Sequence, residues 1–137
     1  MVIPAERCWL QVVDATLDAA FQSLGVKSQQ RLGFAAREAL INAMRVAEEL
    51  DGEGVAEIEI QLTTGGGWTE LRVIDPGQGL PEGWQQKLEA QEVKDSVVSL
   101  SGRGLMFIKE FVDELSSVRD AEGRHILIMR KREGDGK

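Results

Sequence analysis

VAEIEIQLTTGGGWTELRVIDPGQGL, residues 55–80, is the stretch on which the fold turns. After Val55, the apolar Ile58, Ile60 and Leu62 alternate with Glu57, Glu59 and Gln61, the period-2 pattern of a strand with one buried face. Gly65-Gly66-Gly67 follow, and Leu71-Arg72-Val73-Ile74 resumes as a second strand. The spacing predicts a hairpin closed by a loose glycine loop. Its second strand runs straight into Asp75-Pro76-Gly77-Gln78-Gly79, a cluster of turn formers.

Upstream the period is 3.6 rather than 2. Leu10, Val13, Leu17, Ala20, Phe21 and Leu24 share one face of a helix over residues 5–24, which Gly25 stops. Ser28 is a suitable N-cap for a second helix reaching Leu50, with Leu32, Ala36, Ala39, Leu40, Ala43, Val46 and Ala47 on its apolar stripe. Val2 and Ile3, before Pro4, are a candidate short strand. Downstream, residues 76–101 show no sustained period and read as a long loop with one short helix over 85–90. A third helix is expected from about Arg103, with Leu105, Ile108, Phe111 and Val112 on one face. Residues 115–118 and 125–129 form a closing hairpin around Ala121-Glu122-Gly123, and 131–137 a charged, frayed tail. The expected architecture is a single α+β domain over 1–137. It is a two-layer sandwich, with a mixed, mostly antiparallel sheet and its helices on one face.

Composition narrows the function. Sixteen Lys and Arg against 23 Asp and Glu give a net charge of -7, the wrong balance for a protein that neutralises nucleic-acid phosphates. Residues 51–100 carry the whole excess, with 10 acidic side chains against 3 basic. Cys8 is the one cysteine and His125 the one histidine, so an internal disulfide and a cysteine zinc cage are excluded and a histidine-rich metal site has very little to work with. We expect Cys8 to be buried and His125 to be a surface imidazole at a strand end. Trp9, Trp68 and Trp84 are expected to pack or to meet partners. No apolar run is long enough for a membrane span and no signal-peptide pattern opens the chain, which points to a cytoplasmic protein. Glycine, at 15 of 137 residues, is in excess and asks for a reason.

Three short segments carry candidate chemistry. Glu38, Asn42 and Arg45 fall on one face of the second helix, where they offer a base, an amide oxygen and a guanidinium. Taken alone, they also read as a polar pair on a solvated face. Asp75 at a strand end can accept from an exocyclic amine, with Gly77 and Gly79 letting backbone approach a flat ligand; equally, Asp-Pro-Gly is plain turn chemistry. Ser101-Gly102-Arg103-Gly104 precedes the third helix and would expose its first N–H groups to an anion; it also suits an ordinary flexible helix start.

Their order is more specific than any one of them. REALINAMRVA (37–47), VIDPGQGL (73–80) and SGRGLMFIKEFVDEL (101–115) resemble the N box and the two glycine boxes of the GHKL, or Bergerat-fold, ATPases. The Gly-Arg-Gly-Leu form and the short intervening segment look most like the bacterial anti-sigma-factor serine kinases. The resemblance implies ATP and Mg²⁺ as cofactors. Asn42 would hold the metal and Glu38 would be the general base toward a substrate serine. Arg45 would stand near the phosphates, and Asp75 would accept from the adenine amine beside Gly77 and Gly79. Gly102, Arg103, Gly104 and Leu105 would cradle the phosphates under a lid formed by 81–101. It also implies a sigma factor or similar target, an anti-sigma-factor antagonist as substrate, and a homodimer.

Two departures stand against full activity. Val46 occupies a place where many of these kinases have histidine, and Arg124 and His125 stand where a threonine is frequent. The competing readings are an inactive nucleotide-binding or protein-binding regulator of the same fold and the catalytic domain of a histidine kinase. The latter is disfavoured, since no dimerising phospho-acceptor helix precedes the N box.

Overall fold

The alternating residues after position 56 form a strand that is paired on both sides. The structure, a computed structural model, describes residues 1–50, 56–77, 84, 85 and 100–133, without the side chains of 48–50 and 100–103. Its strands are β1 (Val2–Pro4), β2 (Glu57–Gly65), β3 (Trp68–Asp75), β4 (Glu114–Arg119) and β5 (His125–Arg132). They lie in the order β1-β2-β3-β5-β4, and every described pairing is antiparallel. The expected mixed sheet is corrected on that point. Both hairpins pair antiparallel, and the two joints made across the sequence, β1 with β2 and β3 with β5, do so as well.

Among the described residues, the helices α1 (Leu10–Leu24), α2 (Gln29–Leu50) and α3 (Leu100–Phe111) complete the α+β sandwich. A 3₁₀ turn over Arg7–Trp9 precedes α1, and none of its residues is buried. Cys8 on that turn is exposed, contrary to the buried thiol expected. Gly25, at φ +70°, ends α1 in the left-handed region, where its own N–H bonds Gln22 O and the N–H of Val26 bonds Phe21 O. That pairing satisfies carbonyls the helix end would otherwise leave open.

One sheet face meets the helices. Ile60, Val73 and Leu127 stand opposite one another across three strands, and Leu71 faces Met129 one step along. Phe21, Leu32, Leu40, Met44 and Ile108 close over them at no exposure. Each such side chain contributes about 1.5–3 kcal/mol by leaving water. An exposed ion pair such as Arg37–Asp14, between α2 and α1, contributes about 0–1 kcal/mol. Apolar burial therefore sets how the layers sit.

The β2–β3 connection is tighter than a loose loop. Gly65 pairs with Trp68, leaving Gly66 (φ +62°) and Gly67 (φ +83°) as a two-residue turn. Positive φ at both central residues matches the strand twist, so the ladder continues to the turn itself. Ser28 does begin α2, since its carbonyl accepts the Leu32 N–H at 3.0 Å, but its hydroxyl lies 3.5 Å from Glu133 Oε2. The other Glu133 oxygen accepts from Thr69 at 3.0 Å, and the Glu133 N–H donates to Gly67 O at 2.7 Å. Residues 131–133 are thus tied to the sheet and to α2, not frayed. Residues 134–137 lie outside the described residues. Among the described residues no helix is long and apolar enough to cross a membrane.

Candidate functional site

Where α2 and α3 lie over the ends of β3 and β5, a cleft opens. It is lined by Ala39, Asn42, Ala43 and Val46 from α2, Val73 and Asp75 from β3, Leu105 from α3, and His125 and Leu127 from β5. Its walls are mostly apolar, with Asp75 as the one carboxylate among those lining residues. Three of the sequence-predicted site residues, Asn42, Asp75 and Leu105, therefore meet in one place although 63 positions separate the first from the last.

Two glycines bring the elements close enough for this. A Cβ at Gly104 would lie 2.8 Å from Asn42 Nδ2, and one at Gly77 would lie 2.6 Å from Val46 Cγ1 and 2.7 Å from Asp75 Oδ1. Gly104 thus lets α3 approach the amide on α2, and Gly77 lets the turn after β3 fold under Val46. The Gly77 N–H donates to Asp75 Oδ1 at 2.7 Å, which fixes that turn on the carboxylate itself. Val46, unremarked as a ligand, serves as the wall that Gly77 fits against.

Of the remaining sequence-predicted residues, Arg45 and Glu38 fall beside this centre. Arg45 is half-buried and donates to Asn42 Oδ1, the oxygen expected to hold a metal. Glu38 is half-buried one turn before Asn42, on the same helix face, but does not line the cleft. The first turn of α3 already includes Gly102, Arg103 and Gly104, so the helix begins by Leu100 and not after these glycines. The anchored face of Leu105, Ile108 and Val112 outweighs a glycine cost of about 1 kcal/mol per position. Gly79, the Arg103 side chain and most of the 81–101 lid lie outside the described residues. Within that stretch Trp84 and Gln85 are helical, and Trp84 packs half-buried on the core. Of the short helix expected over 85–90, Gln85 alone lies among the described residues.

Sequence reasoning missed His125. It is buried, with 6% exposure, not a surface imidazole. β5 begins at His125, directly opposite Asp75 in register, and its Nδ1 lies 3.3 Å from Asp75 Oδ2. Its Nε2 lies 2.7 Å from Ser117 Oγ on β4. The β3–β5 register is the signal that finds it. Among the described residues no group of three or more His, Cys, Asp or Glu could hold a metal.

A sequence profile described as the histidine kinase-like ATPase domain matches residues 6–131. The chain belongs to that family. Among solved structures, a chain of the SiaB–SiaC complex from Pseudomonas aeruginosa shares the histidine kinase-like fold seen here. The TM-score is 0.57 at 15% sequence identity, over 96% of this chain and 88% of that one. No curated protein matches the chain in sequence. The family places ATP use with this domain, so the expected GHKL-like architecture and the coarse expectation of an ATP-binding protein both stand.

Proposed function

We propose that the chain binds Mg-ATP and phosphorylates a small antagonist protein on serine, as a cytoplasmic partner-switching kinase of the anti-sigma-factor type. The observation that carries this reading is the convergence of Asn42, Asp75 and Leu105 on one apolar cleft, with Gly104 packed against Asn42, in a histidine kinase-like ATPase. Ala39, Ala43, Val46, Val73 and Leu127 suit a flat aromatic base, and Asp75 suits the amine on its edge. Asn42 offers the kind of oxygen Mg²⁺ accepts from a protein while keeping water and phosphate as its other ligands. Bound with the phosphates, Mg²⁺ would offset their charge. Arg45, now on Asn42, would turn its guanidinium to a phosphate oxygen, with Gly102, Arg103, Gly104 and Leu105 beside it. Glu38, one helical turn before Asn42, would accept the proton of the attacking serine hydroxyl. The SiaB–SiaC structure is itself a complex of two proteins, which favours a protein partner here; a sigma factor or similar target would be the second. A homodimer is part of the same reading.

Incubation with γ-labelled Mg-ATP and candidate antagonists tests it. Transfer to a serine should occur and fall by about 10²-fold or more in Glu38→Ala with nucleotide affinity retained. The Arg45 bond to the Asn42 oxygen favours one alternative, a nucleotide-binding regulator without transferase activity. Tight nucleotide binding with no transfer to any candidate would select that alternative.

A further inference from the structure

At the cleft three adjacent strands contribute a chain of hydrogen bonds that the nucleotide-binding reading above leaves unused. Ser117 Oγ lies 2.7 Å from His125 Nε2, and His125 Nδ1 lies 3.3 Å from Asp75 Oδ2. An ionised carboxylate only accepts, so Nδ1 carries the proton. A neutral imidazole then accepts at Nε2, and the Ser117 hydroxyl donates to it. The order of groups is that of an acyl-transfer triad, but Ser117, opposite Leu127 on the helix-facing side of the sheet, is not among the cleft-lining residues, so the chain ends beside the cleft. What the chain does hold is Asp75. One carboxylate oxygen is fixed by the Gly77 N–H at 2.7 Å and the other by the imidazole, with both side chains at 8% exposure.

We propose that His125 is a positioning residue that sets the cleft's choice of base. By donating to Asp75 it holds that carboxylate in one orientation with a lone pair turned to the base, so a 6-aminopurine nucleotide is taken over its 6-oxo counterpart. The inference rests on the nucleotide-binding reading. An N–H₂ group meets a lone pair of Asp75, whereas a carbonyl oxygen at the same place meets another acceptor and leaves two buried acceptors face to face. Without the imidazole, Asp75 Oδ2 loses its donor and the carboxylate is free to rotate away from the amine.

ATP and ITP differ at this one position of the base, and their affinities can be measured by titration calorimetry for the parent, His125→Leu and His125→Asn. The parent should prefer ATP by about tenfold or more. His125→Leu should lose most of that preference through weaker ATP binding, with ITP affinity little changed. His125→Asn places an amide N–H₂ where Nδ1–H donates, and should keep the preference. An equal loss for both nucleotides in His125→Leu would mark a merely structural role and overturn the proposal. So would an Asn variant that behaves like the Leu variant. A parent that binds neither nucleotide, or both alike, would instead overturn the nucleotide or adenine assignment on which the proposal stands.

Discussion

Gly77 sits where two constraints meet, and they can be separated. A methyl group there meets Val46 Cγ1 on one side and Asp75 Oδ1 on the other. The first contact is packing and the second is the carboxylate proposed to meet the base. Gly77→Ala should therefore cost about 1–3 kcal/mol of stability through overpacking, read by urea denaturation. Adding Val46→Ala should restore part of that stability, since the two positions touch and their effects are coupled. Nucleotide affinity should stay impaired in the double variant, because Asp75 is still displaced. Full recovery of both would mean that Gly77 acts through Val46 alone. At this scale the sequence was readable where a residue's partner lies nearby in the chain or a motif names it. Asp75 and Gly77 are two apart, and Asn42 stands in a recognisable box. His125 was not readable, because its partners Asp75 and Ser117 are reached only through the register of β3 with β5 and β5 with β4.

The elements themselves were legible from period and punctuation, and the differences lie at their ends. β5 runs to Arg132, where apolar alternation alone stops near Met129, because the charged residues beyond it are paired across the sheet. Arg130 reaches Glu114 at 2.9 Å and lies over the Trp68 ring, with Arg132 over the same ring. The joint between α3 and β4 adds another tie. The Asp113 carboxylate accepts from the Arg132 N–H at 2.6 Å and from Lys131 Nζ at 3.3 Å, while its own N–H donates to Arg130 O at 2.8 Å. The Arg132 N–H first, and the Lys131 ammonium after it, hold the Asp113 carboxyl below its ordinary range. A group depressed in the folded state adds stability above its unfolded value, about 3.9, and loses it as pH falls through the folded value. Glu59, lowered chiefly by the Gln61 amide, acts in the same direction. The melting temperature should therefore fall as pH drops below about 4. In Asp113→Asn that fall should be shallower, with the neutral-pH value already reduced. An unchanged acid profile in the variant would show that this carboxylate does not contribute to it.

At the scale of the molecule, a two-layer sandwich covers one face of its sheet, and the other face remains to be explained. Val2, Glu59, Ile74, Ile126 and Val118 stand opposite one another in a single row across all five strands, on the face away from the helices. Val2 and Val118, at the two ends, are 55% and 45% exposed, while Ile74 and Ile126 are buried between them. Glu59, the one charge in the row, is paired with Arg124 at 3.4 Å. A row that is apolar at both ends and locally neutralised can face a copy of itself about a two-fold axis, where the same patch serves both partners. The homodimer of the proposed function would then use this face, leaving the cleft between α2, α3 and the sheet free on the opposite side. On this face Glu59 and Glu70 both pair with arginines. Sedimentation velocity at tens of micromolar should show a dimer. Val118→Lys, which places an ammonium at the centre of one end of the row, should weaken it by about tenfold or more, since a charge desolvated without a partner costs more than the valine contributes. ATP affinity should change by less than about twofold, because Val118 is on the face opposite the cleft. A parent that sediments as a monomer at that concentration, or a variant that dimerises as well as the parent, would remove this face from the interface.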